Sequence, residues 1–194
     1  NMKPLWIVLG LVALLIVVLL FVGGGYVGSK NQMVAKDQNV QAAFSEIDVN
    51  IQRRADLIPN LVATVKGYAN VEETVLNNIA QARSGLLQAR TPDEKLAAND
   101  RLNVALLPLM RLQENYPQLK SNDQFMRLQD ELAGTENRIA VARRRYNEAI
   151  REYNIFIQQF PNSLWANFAG FHPKNEYYTA DPGSKVAPKV DFSK

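Results

Sequence analysis

The arrangement of apolar and polar positions sets the N-terminal part of the chain apart from the rest. Residues 5–22 read LWIVLGLVALLIVVLLFV, with no charged or strongly polar side chain, and the apolar character continues to Val27. A helix of this length can cross the hydrocarbon core of a bilayer. Trp6 and Tyr26 lie near its two ends, where amphipathic rings favour the membrane interface. The pattern therefore predicts a transmembrane anchor over residues 1–29.

A secretory signal peptide is the alternative interpretation of this apolar run. The apolar core of a signal peptide has about 7–15 residues and precedes a cleavage site of the Ala-x-Ala type. Here the run is longer and no such site follows it, which favours a retained anchor. Gly24 and Gly28 form one G-x-x-x-G, a spacing that lets membrane helices approach closely but that also suits a hinge at the membrane exit. Basic residues nearly balance across the run, so orientation is not fixed by charge.

Residues 30–161 show the apolar spacing of long amphipathic helices. Over 125–160, apolar or small residues recur after three and then four positions, which predicts one long helix that packs in coiled-coil fashion and stops at Pro161. The same rhythm over 44–68 predicts an earlier long helix. Both helices are expected to bury one face.

Two further helices are predicted between these long ones. Residues 71–88 carry apolar side chains on one face. TPDE at 91–94 is a start signal for a helix that runs towards Tyr116, with threonine as N-cap, proline in the first turn and acids beside it. Pro108 is expected to bend that helix or end it early. Four helices with short connections predict an all-α fold, an antiparallel up-down four-helix bundle with long first and last helices behind the transmembrane helix.

A proline lies inside the helical spacing of IQRRADLIPNLV, residues 51–62. Pro59 removes the amide that would bond the carbonyl of Ala55, so a kink or local opening is expected there. The polar residues around it either form a solvated face beside a curved helix or make a contact that fixes the register between helices or subunits. The candidate interaction residues of this stretch are Arg53, Arg54, Asp56, Pro59 and Asn60.

Composition narrows the chemistry that the chain can perform. Lys and Arg number 22 against 19 Asp and Glu, and a net charge of +3 is too small to indicate a nucleic-acid partner, although it allows attraction to anionic lipid. With no cysteine, the chain has no disulfide, thiolate metal site or cysteine nucleophile. His172 is the single histidine, so one chain has no histidine pair for a metal or for acid–base work. We predict no catalytic residue, no metal and no cofactor.

Charged clusters on the predicted helices do not converge. Arg143, Arg144 and Arg145 form the densest basic cluster and are a second candidate interaction site, but on one turn they fan over about 200°. A solvated face is therefore expected more than a phosphate site. The acid pairs at 72–73 and 130–131 diverge for the same reason, and general acid–base geometry would need a partner from another helix.

Residues 162–194 form an aromatic C-terminal segment and an extended tail, expected to be irregular. The aromatic area of this segment has to be covered, either by the flank of the bundle or by insertion at the lipid interface. The candidate interaction residues here are Trp165, Phe168 and Phe171. Residues 179–194, rich in Pro, Gly, Ser and Lys, are predicted to be an extended end.

Several segments of the chain resemble the LemA family. The resemblance rests on IQRRADLIPNLV with VKGY at 65–68, and on ARRRYN at 142–147. Further matching pairs are Tyr153-Asn154, Phe160-Pro161 and Gly170-Phe171. It covers about residues 2–178. Asn70, where members often carry histidine, and the glycines at 23–25 depart from the family pattern.

The resemblance implies a single-pass, membrane-anchored helical bundle in the bacterial cytoplasmic membrane, with the N-terminus outside and the bulk in the cytoplasm. It brings no catalytic residue. We therefore predict a scaffold that is not an enzyme and that acts by homo-oligomeric assembly at the membrane surface, with membrane lipid and further copies as partners. The alternative is an adaptor or substrate-handling partner of other membrane proteins, for example in membrane proteolysis or quality control.

Overall fold

The chain is entirely helical, apart from connections, over the part that the computed structural model describes, residues 3–177. Tyr178 and the predicted extended end at 179–194 lie outside the described residues. Within them, the helices are α1 (Lys3–Lys66), α2 (Glu73–Gln88), α3 (Pro92–Asn115), α4 (Pro117–Lys120), α5 (Asp123–Gln158) and α6 (Asn162–Ala169). The predicted all-α class is confirmed.

These helices are distributed over two compact units. The anchor unit comprises residues 3–42 and 148–175, and the body unit comprises 43–147 with 176–177. Because α1 and α5 are long, each contributes a segment to both units. Helices α2, α3 and α4 lie wholly in the body unit, and α6 lies wholly in the anchor unit.

Helix α1 is uninterrupted, so the predicted anchor and the first predicted helix of the body form one continuous helix. From Val8 to Val22 its large apolar side chains are 46–84% exposed, and by length and composition α1 is the helix among residues 3–177 that could cross a membrane. Further along, one face becomes buried at the spacing that the sequence predicts. The buried apolar residues of α1 are Met33, Val40, Ile47, Ile51, Ala55, Ile58, Leu61 and Val65.

The predicted long last helix is also present as α5. Its buried face includes Phe125, Ile139 and Tyr146, and a second row at Ile150 and Ile157 broadens it. The seam ends before the predicted limit, since the side chain of Phe160 is 82% exposed. The N-terminus is capped by Asn122, whose side-chain oxygen accepts from the Phe125 amide at 2.8 Å.

Helix α3 begins as its start signal predicts. The Thr91 hydroxyl accepts from the Glu94 amide at 3.2 Å, and the Glu94 carboxylate accepts from the Thr91 amide at 3.3 Å, which completes a capping box. Backbone hydrogen bonds from Arg90 and Thr91 lower the pKa of Glu94. Of the two expectations for Pro108, a bend or an early end, the early end is wrong, since α3 continues to Asn115. Val104, whose carbonyl Pro108 leaves without an amide donor, is 67% exposed, so water can reach this part of the helix.

Pro59, the proline inside α1, lies in a different environment from Pro108. The residue four positions earlier, Ala55, is fully buried, so its carbonyl needs a donor from the protein. Arg83 on α2 supplies it, with Nε donating to the Ala55 oxygen at 2.8 Å. Helix α1 therefore continues through Pro59 to Lys66 with the lost hydrogen bond replaced by a neighbouring side chain.

We expect Arg83→Met to lower the free energy of unfolding by about 1–2 kcal/mol, because it leaves a buried carbonyl without a donor. In a Pro59→Ala background the new amide can bond that carbonyl, so the same Arg83→Met change should cost under about 0.5 kcal/mol. Urea unfolding of the four proteins, followed by circular dichroism, measures this coupling. Equal costs of Arg83→Met in both backgrounds would refute this role for Arg83.

The expectation that the C-terminal aromatic segment is irregular is wrong for its first part. Residues 162–169 form helix α6, which ends at Gly170 in the left-handed conformation (φ 79°) with the Phe171 amide donating to the Ala166 oxygen at 2.9 Å. The sequence signal was present as a glycine directly after a short apolar run. The helix buries Ala166 and leaves Phe168 82% exposed.

Candidate functional site

A buried polar cluster joins three helices of the body unit. Arg54 of α1 donates through Nη1 to Glu136 of α5 and through Nη2 to Asn103 of α3. Asn99 donates to the Glu136 Oε2 at 3.2 Å, and Asn103 donates to Oε1 at 3.5 Å. Arg54 is 5% exposed and Asn99 is fully buried. Arg143, on α5, pairs with Asp100 at 3.2 Å on the edge of this cluster.

Burial sets the electrostatics of the cluster. Desolvation by burial lowers the pKa of Arg54, and the nearby Glu136 carboxylate acts in the opposite direction by stabilising the charged guanidinium. The positive charge of Arg143 adds to the lowering, and Asp100 opposes it. A charge held away from water in this way depends on its partners, so the cluster requires α1, α3 and α5 to meet in one register.

The residues predicted around Pro59 separate into one buried and several exposed positions. Arg54 makes the polar contact between helices that was one of the two expectations for this stretch. Arg53 is exposed and lies 3.8 Å from the Glu131 carboxylate, and Asp56 accepts a hydrogen bond from Gln52 at 3.0 Å. Pro59 and Asn60 are exposed. The solvated face and the interhelical contact thus coexist on opposite sides of α1.

The three consecutive arginines point in different directions. Arg143 is half-buried against Asp100 on α3, whereas Arg145 reaches Glu46 on α1 at 2.7 Å. Arg144 is exposed. The predicted divergence around the helix is therefore observed, and the cluster presents no single basic surface.

An aromatic cluster lies where the apolar part of α1 ends, within the anchor unit. The Tyr26 ring packs edge-on against Trp165 with ring centres 5.6 Å apart and against Phe168 at 5.9 Å. Ser29 donates to the side-chain oxygen of Asn162 at 2.8 Å, which fixes the start of α6 beside the same stretch of α1. Lys30 lies over the Tyr26 ring, 5.9 Å from its centre. Phe171, the third aromatic candidate, is half-buried.

A shallow groove runs between α2 and α3. Its volume is about 850 Å³, and small residues form much of its floor. Val104 in its wall and the neighbouring Leu107 are 67% and 51% exposed. The small and imino-acid residues that line the groove include Ala82, Gly85, Ala97, Ala98, Ala105 and Pro108.

The remaining predicted positions are exposed. Side chains added at Gly24 or Gly28 would meet nothing within 4 Å, so this spacing is free for contact with another helix. Both acid pairs at 72–73 and 130–131 face outward. His172 is exposed, and its backbone oxygen accepts from the Tyr153 hydroxyl at 3.1 Å.

Two buried tyrosines on α5 have perturbed acidity. Burial raises the pKa of Tyr146 to about 12, and the Glu176 carboxylate, 3.4 Å from the hydroxyl, acts in the same direction. Burial also raises the pKa of Tyr153, with Lys174 opposing the change. Tyr146 packs against Phe44 with ring centres 6.1 Å apart, so its ring is part of the contact between α1 and α5.

The raised pKa predicts a loss of stability in strong base. Between about pH 10 and 12 an unfolded tyrosine ionises while the folded Tyr146 keeps its proton, so the free energy of unfolding falls as pH rises through this window. Tyr146→Phe should flatten this decline, and the part that remains is expected to come from Tyr153. Glu176→Gln should retain most of it, because burial is the main cause. Urea midpoints across the window measure the slopes, and an unchanged slope in Tyr146→Phe would contradict the assignment.

Sequence reasoning missed four polar residues that the fold buries or half-buries. Asn99 lies on the apolar stripe of α3 between Leu96 and Leu102, a spacing that could have marked it as buried. Glu136 gave no such signal, since it lies among the polar residues Thr135, Asn137 and Arg138, and Asn103 gave none either. Asn154 is 7% exposed and exchanges two hydrogen bonds with the backbone of Lys174, at 2.7 and 2.8 Å.

Comparison with known proteins agrees with the resemblance seen in the sequence. The sequence model of the LemA family matches residues 43–192, which cover the whole body unit and the part of the anchor unit at 148–175. The protein named Protein LemA from Metamycoplasma hominis is 30% identical over 115 residues, which cover 57% of this chain and 51% of that relative. The chain thus spans about half the length of that relative. On the family match, the chain belongs to the LemA family.

Proposed function

We propose that this chain is a membrane-anchored helical scaffold that acts by homo-oligomeric assembly at the bilayer surface and performs no catalytic step of its own. The observation that carries the proposal is the uncovered apolar stretch of α1, which continues without a break into a helix packed in the body unit. Exposed leucine, isoleucine and valine side chains at this density are costly in water and favourable in lipid. Because α1 runs through both units, the apolar stretch and the buried face in the body unit belong to one helix.

In this proposal α1, α2, α3 and α5 form an antiparallel up-down four-helix bundle in the body unit. The order of the contacts supports this topology. From one contact to the next, residue numbers increase along α1 and just beyond it, while the residue numbers of their partners decrease. The contacts are Glu46–Arg145, Arg54–Glu136 and Tyr68–Asn122. Short connections between consecutive helices are typical of such bundles.

Two surfaces support assembly of several copies. The groove between α2 and α3 is lined by small residues and by polar ones such as Gln81 and Arg101, beside the exposed Val104 and Leu107. Exposed apolar residues with a polar rim are typical of protein–protein interaction sites. In the membrane, the open Gly24 and Gly28 positions permit close approach of a second α1. Lipid and further copies of the chain are the proposed partners, and nucleic acid is not.

The proposed location is the bacterial cytoplasmic membrane, which α1 crosses once, with the N-terminal end of α1 outside and the body in the cytoplasm. This orientation follows from the family and not from charge, since Lys3 and Lys30 lie on opposite sides of the apolar run. The body unit, with its ion pairs, then lies in water beside the inner leaflet.

Light scattering of the detergent-solubilised full chain tests the assembly. We expect a protein mass that is a multiple of 21.8 kDa and is stable across concentrations. Val104→Glu with Leu107→Glu should lower this mass, because charges in an apolar contact are costly, whereas Gln124→Glu on the exposed surface of α5 is the matched control. A monomer mass for the unmodified chain would contradict the proposal. Crosslinks from Arg143 or Trp165 to other membrane proteins, with none between copies, would favour the adaptor function instead.

A further inference from the structure

The turn before helix α6 and the helix itself carry an exposed line of three apolar side chains, which nothing in the described residues covers. Phe160 in the turn and Leu164 and Phe168 in α6 are 82%, 58% and 82% exposed. Leu164 and Phe168 are four residues apart, a spacing that places them on one side of the helix. Residues 160–171 contain no charged side chain, and the opposite side is held to the chain through the buried Ala166. The exposed line therefore needs a cover that is apolar.

The position of α6 along α1 indicates what that cover is. Trp165 and Phe168 both contact Tyr26, which lies four residues after Val22, the last residue of the apolar run. At 1.5 Å per residue this is about 6 Å along the helix axis. The interfacial layer on each side of a bilayer is roughly 5–8 Å thick. If α1 crosses the bilayer, α6 thus lies within the layer where lipid headgroups meet acyl chains.

The chemistry of this region suits lipid in particular. Aromatic rings and uncharged apolar side chains are the groups that partition into the interfacial layer. Lys30 lies over the Tyr26 ring, so in such a bilayer its positive charge would lie near the lipid phosphates. The exposed line is also adjacent to the uncovered surface of α1, so one continuous apolar medium would cover both.

We propose that α6 is an interfacial helix: its Leu164 and Phe168, with Phe160 of the preceding turn, insert into the headgroup–acyl boundary of the bilayer that α1 crosses. The proposal rests on the membrane anchor of the proposed function. Helix α6, which follows the C-terminal end of α5, gives the chain a second contact with lipid. The ring contacts of Tyr26 with Trp165 and Phe168 and the Ser29–Asn162 hydrogen bond hold α6 on α1. One membrane helix alone leaves the orientation of the anchor unit on the membrane surface open, whereas two lipid contacts fix it.

Tryptophan fluorescence in brominated lipid tests this proposal, because the chain has only two tryptophans, Trp6 and Trp165. Three single-tryptophan proteins are reconstituted at full length in phosphatidylcholine vesicles brominated on the upper acyl chain. Trp165→Phe leaves Trp6 as the reporter of the anchor. The second protein combines Trp6→Phe and Trp165→Phe with Phe168→Trp, which places the reporter on the exposed line. The third combines Trp6→Phe and Trp165→Phe with Val104→Trp and reports on an exposed apolar position of α3.

We expect bromine to quench most of the emission at positions 6 and 168 and little of it at position 104. Quenching at 6 without quenching at 168 would overturn the interfacial helix and leave the anchor in place. Loss of quenching at both positions would overturn the anchor as well. Emission at 168 that is shifted to the blue and unquenched would mean that a second copy covers α6, which also overturns the proposal.

The native Trp165 provides a second reading if Phe168→Trp disturbs the fold. In Trp6→Phe, quenching of Trp165 should be clear, and it should fall when Phe160, Leu164 and Phe168 are changed together to serine. Helix content by circular dichroism should stay unchanged in this triple variant, since those side chains are exposed and the Tyr26–Trp165 contact and the Ser29–Asn162 hydrogen bond still hold α6 on α1. Unchanged quenching of Trp165 in the triple variant would also contradict the insertion of this line.

Discussion

Replacing Arg54 by alanine is expected to lower the free energy of unfolding by about 2–3 kcal/mol. This loss is expected even though the substitution removes a buried charge, which is itself costly to keep away from water. The reason is what it leaves behind, since Glu136 and Asn103 both lose a donor inside the body unit. The Glu136 side chain is 35% exposed, so water recovers part of the loss and keeps it below that of a fully buried pair. Urea unfolding followed by circular dichroism measures the difference.

The neighbouring arginine provides the matched control. Arg53 is the same residue type on the same helix, but its side chain is 57% exposed and its contact with Glu131 is 3.8 Å long. Arg53→Ala should therefore cost less than about 1 kcal/mol. Equal losses at the two positions would show that the buried cluster does not stabilise the fold as described.

A double substitution separates stability from register. Arg54→Met with Glu136→Leu removes both charges and keeps apolar volume, and such exchanges are often neutral or stabilising. We expect stability within about 1 kcal/mol of the unmodified chain. If the cluster selects one register of α1, α3 and α5, the double variant should be stable but should lose the uniform mass expected in light scattering.

The largest effect on location is expected from Leu14→Arg combined with Val17→Arg. Both positions lie in the middle of the apolar stretch, with side chains 60% and 55% exposed. Each exchange of an aliphatic residue for arginine at the centre of a membrane helix costs about 3–4 kcal/mol. One substitution should leave the chain in the membrane, whereas two should shift much of it to the soluble or aggregated fraction.

The alanine pair Leu14→Ala with Val17→Ala is the control for this experiment. It removes the same aliphatic side chains without adding charge, so the chain should remain in the membrane fraction. Fractionation of cells that express each variant, with detection of the body unit, measures the distribution. Full membrane retention of the double-arginine variant would contradict an anchor at this position.

Hydrophobic spacing was sufficient to predict the long helices and much of the core. The rhythm over 44–68 and over 125–160 identified Ile47, Ile51, Ile139 and Tyr146 as buried, because burial in a helical protein follows the 3.6-residue period directly. Local chemistry was equally informative at Thr91, whose capping box depends only on neighbours in sequence. These features depend on residues that are close together in the sequence, so a single sequence is enough to predict them.

The polar cluster could not be predicted in the same way. The 3–4 spacing of α1 places Arg54, and not Arg53, on the buried face, but the partners that pair with the Arg54 charge lie on α3 and α5, far away in sequence. The donor to the Ala55 carbonyl could not be identified either, because Arg83 is distant in sequence. At Pro108 the helix continues because that face is exposed, a property that the proline itself does not reveal.

The most direct test of the account is alkaline extraction of membranes that contain the full chain, followed by mass spectrometry of the pellet and the supernatant. The account predicts that peptides from residues 5–22 and from the body unit stay together in the membrane pellet. A released, soluble chain that lacks residues 5–22 would show that this run is a cleaved signal peptide, and it would contradict the membrane-anchored scaffold.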